Sequence, residues 1–215
     1  MAVGWWRSRQ DKTKRKLIDD GFPWKYTQED AARARTLLLE LTNSEEHAYY
    51  IMKDCACAFI DHKLPEDALL LFQEALNFVA IPALEKGILH ENLATYLRNG
   101  SNPKLIVQEM KKALKWYGKA DDLYRVCVAL KNLGEAEWIL SFKKTATQYF
   151  DKSEELCNKL DQSKKADVFW NLACAARRIG ETRMEINYLT KCLLECSEEQ
   201  SELILEVDKR LSKIT

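Results

Sequence analysis

The sequence is short of the residues that turn and brace a β-rich fold, with seven glycines and four prolines in 215 residues. It also lacks an excess of either charge, because 33 basic residues balance 33 acidic ones. A neutral total gives no global attraction to nucleic acid or to an anionic membrane. No apolar stretch approaches the roughly 20 residues needed to cross a bilayer; Phe78 to Leu84 is among the longest. Behind the basic N-terminus there is no apolar segment of the kind a secretory signal carries. The three histidines, His47, His62 and His90, are dispersed and make no metal-ligand pair. No glycine-rich phosphate loop occurs. These absences predict a non-enzymatic, mostly helical protein of the cytoplasm or nucleus, without cofactor or metal.

A pattern fills the space left by what is missing. Asn92-Leu93-Ala94, Asn132-Leu133-Gly134 and Asn171-Leu172-Ala173 repeat at intervals of 40 and 39 residues, and Asp54-Cys55-Ala56 precedes them by 38. Even spacing in this range marks stacked helical hairpins, each too small to bury its own apolar face. A second motif follows each triplet. It reads Ala68, Phe72, Ala75; then Ile106, Met110, Ala113; then Ala146, Phe150, Ser153; then Glu185, Leu189, Cys192. Steps of four and then three residues keep each set on one helical face. A large side chain between two small ones can enter a gap on the neighbouring helix.

Helix-stop and helix-start signals divide the chain into hairpins at roughly 45–80, 82–118, 120–160 and 163–196. Thr27-Gln28-Glu29-Asp30 predicts an N-cap with an acidic first turn for a helix reaching about Leu41, and Ser44 starts the next. Pro65 and Pro103 stand in first turns, and Asn99-Gly100 ends a helix. Thr182-x-x-Glu185 and Ser197-x-x-Gln200 both have capping-box spacing. Leu203, Val207 and Leu211 form the apolar stripe of a last helix. The expected organisation is a basic and aromatic segment over 1–26, a flanking helix over 27–43, repeats over 44–196 and a capping helix over 197–215.

The paired motifs resemble the tetratricopeptide repeat. The period is nearer that of the longer repeats of kinesin light chains and soluble NSF attachment proteins than the usual 34. The resemblance implies an all-α, right-handed solenoid of about four hairpins with a cap helix at each end. It also implies a concave groove lined by a column of Asp54, Asn92, Asn132 and Asn171. Amides there can donate to and accept from the backbone of an extended peptide. Lys53, Lys131, Trp170 and Arg178 would supply side-chain selectivity, and inter-repeat hydrogen bonding is the structural alternative for the column. Repeat proteins that hold the C-terminal carboxylate of heat-shock chaperones carry two cations where this chain has Val128 and Asn132, so that ligand is not expected.

The implied function is an adaptor or assembly factor that binds another protein's peptide or helix. Two alternatives stand beside it. One is a trafficking or complex-disassembly adaptor of the attachment-protein kind, working through outer faces. The other is an RNA-associated helical-repeat protein using the N-terminal segment, where Trp5, Trp6, Arg7, Arg9, Lys14, Arg15 and Lys16 interleave aromatics with cations.

Seven cysteines, at positions 55, 57, 127, 157, 174, 192 and 196, are an odd number without zinc-ligand spacing. They read as reduced thiols. Titration of the denatured protein with a thiol reagent is expected to count seven free groups, and elemental analysis to find no stoichiometric zinc.

Overall fold

The computed structural model describes residues 27–61, 65–99 and 103–214. Among them are ten α-helices, one short 3₁₀ turn and no strand. The helices are α1 (Gln28–Thr42), α2 (Glu45–Asp61), α3 (Pro65–Ala75), α4 (Ala83–Asn99), α5 (Pro103–Lys119), α6 (Leu123–Ile139), α7 (Lys143–Cys157), α8 (Gln162–Arg178), α9 (Thr182–Glu195) and α10 (Ser201–Leu211). They pack in adjacent pairs, α2 with α3, α4 with α5, α6 with α7 and α8 with α9. These pairs match the four hairpins expected from the sequence. No described helix is long and apolar enough to cross a membrane.

The chain divides into two compact units, Met1–Phe78 and Val79–Thr215. In the first, α1 packs on both α2 and α3. Its start is fixed by a capping box: the Asp30 N–H donates to Thr27 Oγ1 at 3.2 Å, and the Thr27 N–H donates to Asp30 Oδ2 at 2.9 Å. Asn43, at φ 48°, ends the helix in the left-handed conformation that asparagine tolerates. Ala31 and Leu38 are buried, as are Ala48, Tyr49, Met52 and Ala56 of α2 and Ala68, Phe72 and Ala75 of α3. The tie between α1 and α3 is polar. Glu74 on α3 is buried and receives Arg35 Nε at 2.5 Å and Gln28 Nε2 at 3.1 Å.

The second unit runs through α4 to α10. All nine of its small–large–small positions are buried, from Ile106 to Cys192. Two aromatic rings of this unit, Phe150 among those positions and Tyr117 beyond them, lie in glycine notches on the preceding helix. A Cβ placed on Gly134 of α6 would lie 2.7 Å from the Phe150 ring of α7, and one on Gly87 of α4 would lie 2.5 Å from the Tyr117 ring of α5. These glycines are therefore what allow α4/α5 and α6/α7 to close. Nine consecutive residues of α6, from Ala129 to Glu137, are buried. That happens because α6 packs against α5, α7 and α8 at once.

Three of the connections share one backbone solution. Asp121, Ser141 and Gly180 have φ of 54°, 67° and 78°. In each case the next N–H reaches back five residues to a carbonyl: Asp122 to Tyr117, Phe142 to Glu137 and Glu181 to Ala176, at 3.2, 3.0 and 2.9 Å. These are Schellman turns, which satisfy the last carbonyls of one helix and lead directly into the next.

One expected cap is not formed. Ser197 and Gln200 make their capping box, at the head of the 3₁₀ turn. Thr182 does not. The cap position of α9 falls on Glu181, without a side-chain hydrogen bond, and Glu185 is drawn inward to Arg210 of α10. A buried guanidinium offers the carboxylate a stronger, charge-assisted partner than a backbone amide at a helix start.

The notch predicts opposite outcomes for two glycines. Gly134→Ala should destabilise by about 1–3 kcal/mol, because the buried Phe150 ring has nowhere to go. Gly118→Ala, with nothing within 4 Å of the added Cβ, should stabilise by about 0.5–1 kcal/mol. Urea denaturation of the two variants measures both.

Candidate functional site

The sequence-predicted groove residues of the second unit lie on α4, α6 and α8, the first helices of successive pairs. Glu91 and Asn92 of α4 are half-buried. Glu91 is the hub of this end. The Tyr117 hydroxyl and Arg125 Nη1 both meet its Oε2, the latter at 3.7 Å, and Asn132 Nδ2 donates to its Oε1 at 3.4 Å. Burial and the adjacent carboxylate push the Tyr117 phenol well above its ordinary range, so it remains a donor.

Asn132 is buried and committed on both sides of its amide. Its Oδ1 accepts from Lys131 Nζ at 2.6 Å while its Nδ2 serves Glu91. Lys131 is buried with it. In the next step of the row, Glu135 of α6 is 3% exposed and takes a two-pronged bond from Arg178 of α8. Arg178 Nε lies 2.6 Å from Oε1 and Nη2 lies 2.8 Å from Oε2. The bond raises the guanidinium's proton affinity against the opposing effect of its partial burial. The Arg178 side chain is still 47% exposed.

At the middle of α8, Trp170 and Asn171 are half-buried. Asn171 Nδ2 donates to the Asp167 carbonyl of its own helix at 2.8 Å, which leaves its Oδ1 outside that bond. The Arg210 guanidinium of α10 stacks on the Trp170 ring at 4.9 Å. Its Nε donates to Glu185 Oε1 at 2.8 Å and its Nη1 to Cys174 Sγ at 3.2 Å.

Asp54 and Lys53 belong to the first unit. Asp54 is exposed, and the Lys53 ammonium lies 4.9 Å from the Tyr50 ring and 5.6 Å from that of Tyr49. The N-terminal group of Trp5, Trp6, Arg7, Arg9, Lys14, Arg15 and Lys16 lies outside the described residues.

The expected column therefore becomes a network within the second unit. Its longest-range hydrogen bonds join residues 41 and 43 apart, Asn132 to Glu91 and Arg178 to Glu135, which is close to one sequence period. Three members were missed from sequence: Tyr117, Arg125 and Arg210. The signal for Arg210 was present, since it falls three residues after Val207 on the inward stripe of the last helix. Those two are the buried residues of α10.

No protein-family model matches the chain, and no curated protein matches it.

The Glu185–Arg210 pair is buried on both sides, with side chains 6% and 8% exposed. Glu185→Ala leaves a buried guanidinium uncompensated and should destabilise by about 3–5 kcal/mol. Replacing both partners by methionine should recover most of the loss. Equilibrium unfolding of the single and double variants checks this.

Proposed function

We propose that the chain is a non-enzymatic protein-binding scaffold of tetratricopeptide-like hairpins. In the second unit, α4/α5, α6/α7 and α8/α9 would stack as a right-handed solenoid with α10 as its cap. The pair α2/α3 carries the same pattern in the first. The ligand is an extended peptide or a helix of another protein, held on the face formed by the first helices. The observation that carries this reading is the row from Glu91 to Arg178. Side chains one period apart meet on successive first helices, and the row ends on α8, which carries the exposed Arg178 guanidinium and, two turns earlier, the half-buried Trp170.

Such a row presents both kinds of recognition. Trp170 supplies apolar area at little conformational cost, and Arg178, Asn92 and the Asn171 oxygen supply polar contacts. Asn132 supports the face from beneath, because its amide is already bonded at both ends. A second reading has its own observation. Ile139 and Phe142, 57% and 58% exposed, flank the Ser141 turn between α6 and α7. An apolar tip there suits the outer-edge contact of an attachment-protein-like adaptor.

A displayed library of random peptides, panned on the parent protein, is expected to yield binders that Trp170→Ala with Asn92→Ala no longer retains. One amide contact accounts for about 0.5–1.5 kcal/mol, so Asn92→Ala alone should weaken an isolated peptide a few-fold to tenfold. Asn92→Ala should melt near the parent, whereas the double variant also loses the Trp170–Arg210 stacking and should melt lower, so its helical spectrum is checked at the panning temperature. Peptides retained equally by the double variant, but lost on Ile139→Ser with Phe142→Ser, would move the site to the hairpin tip.

A further inference from the structure

Cys174 sits half-buried on α8 with a cation against its sulfur. Arg178 follows it by four residues, on the same face of the helix. Arg210 is 7% exposed and held from three directions: by Glu185 at Nε, by the Cys174 sulfur at Nη1 and by the Trp170 ring beneath its plane. Its remaining nitrogen, Nη2, is buried and has no hydrogen-bond partner. Nη1 and Nη2 of a guanidinium lie side by side in one plane, as the fork that grips paired oxygens. An acceptor atom attached to the Cys174 sulfur would fall beside the nitrogen that lacks one. A free ligand cannot reach Nη2 from solvent, but an oxygen delivered on the sulfur can.

Four other thiols of the second unit are held protonated. Burial pushes Cys127 and Cys192 up to about 12 and Cys157 up to about 11, which suppresses the thiolate that reacts. Cys196 is also raised by burial. Reactive cysteines occupy partly exposed, electropositive surroundings. Cys174 is half-buried and has the Arg210 Nη1 against its sulfur at 3.2 Å.

We infer that Cys174 is a peroxide-oxidation site, converted by hydrogen peroxide to a sulfenic acid whose oxygen is held by Arg210. The Cys174 thiolate sulfur attacks one peroxide oxygen. An S–O bond forms, the O–O bond breaks, and the departing hydroxide takes up the proton released by the thiol to become water. Sulfur loses two electrons to the peroxide. Arg210 is a positioning residue in this step. The inference does not depend on whether the neighbouring face binds a partner.

The test treats the reduced full chain with stoichiometric hydrogen peroxide in the presence of a cyclic-dione sulfenic-acid trap, followed by peptide mapping. The trap is expected on Cys174 ahead of Cys127, Cys157, Cys192 and Cys196. Arg210→Lys keeps the charge but not the paired nitrogens, and should lower trapping at Cys174 several-fold. Trapping led by any of those four overturns the inference. So does an R210K protein, helical as the parent, that is trapped at Cys174 as fast or faster. Should R210K fail to fold, the ranking of Cys174 against those four in the parent decides alone.

Discussion

An aromatic ring lying in a notch with no side chain is the contact on which the second unit depends. Phe150 against Gly134 and Tyr117 against Gly87 bring each helix to its partner at a separation that any larger residue would forbid. Close approach within pairs leaves room for α6 to touch α5, α7 and α8 together. Dense interiors transmit such a constraint, because neighbours cannot shift to absorb an added carbon. The flanking small residues, Ala146 and Ser153 around Phe150, are the same requirement seen from the second helix. Ser153 also donates its hydroxyl to the Cys127 carbonyl at 2.9 Å, so its polar atom is satisfied where it is buried.

Burying α6 so thoroughly has an electrostatic consequence. Lys131, Asn132, Glu135 and Glu137 lie within its enclosed stretch, and ionic or amide groups cannot remain there unpaired. Lys131 bonds its neighbour Asn132, and the other three are met from other helices of the unit. Asn132 receives Lys131 and serves Glu91, Glu135 takes Arg178, and Glu137 has Lys111 Nζ at 3.7 Å. The face proposed to bind a partner is therefore also part of what orients α4, α6 and α8. Structure and recognition draw on the same side chains, at different depths. Asn132 lies below and Arg178 reaches the surface.

Much of this was legible in the sequence, for a physical reason. Hairpin limits follow from prolines in first turns, Thr27 as a cap and the even triplets, which are local signals that packing did not override. Leu93, Leu133 and Leu172 are buried where the repeat register puts them. What sequence could not supply was the choice of polar partners. Thr182 and Glu185 have the spacing of a capping box, yet Glu185 turns to Arg210, 25 residues away, because a buried cation binds a carboxylate more strongly than an amide does. Spacing reveals which residues share a helix face. It does not reveal which distant charge will face them. The same limit hid Tyr117 and Arg125 beside Glu91.

The left-handed turns at Asp121, Ser141 and Gly180 bear on how such a chain can lengthen. Each closes a helix and opens the next with one backbone geometry, whether the residue is aspartate, serine or glycine. A segment cut between two of these turns begins and ends in matching conformations. An in-frame duplication of such a segment would meet compatible junctions at both ends. Growth by copying is thus available to these helix pairs without inventing a new connection, and the number of helices becomes a variable separate from how each one packs.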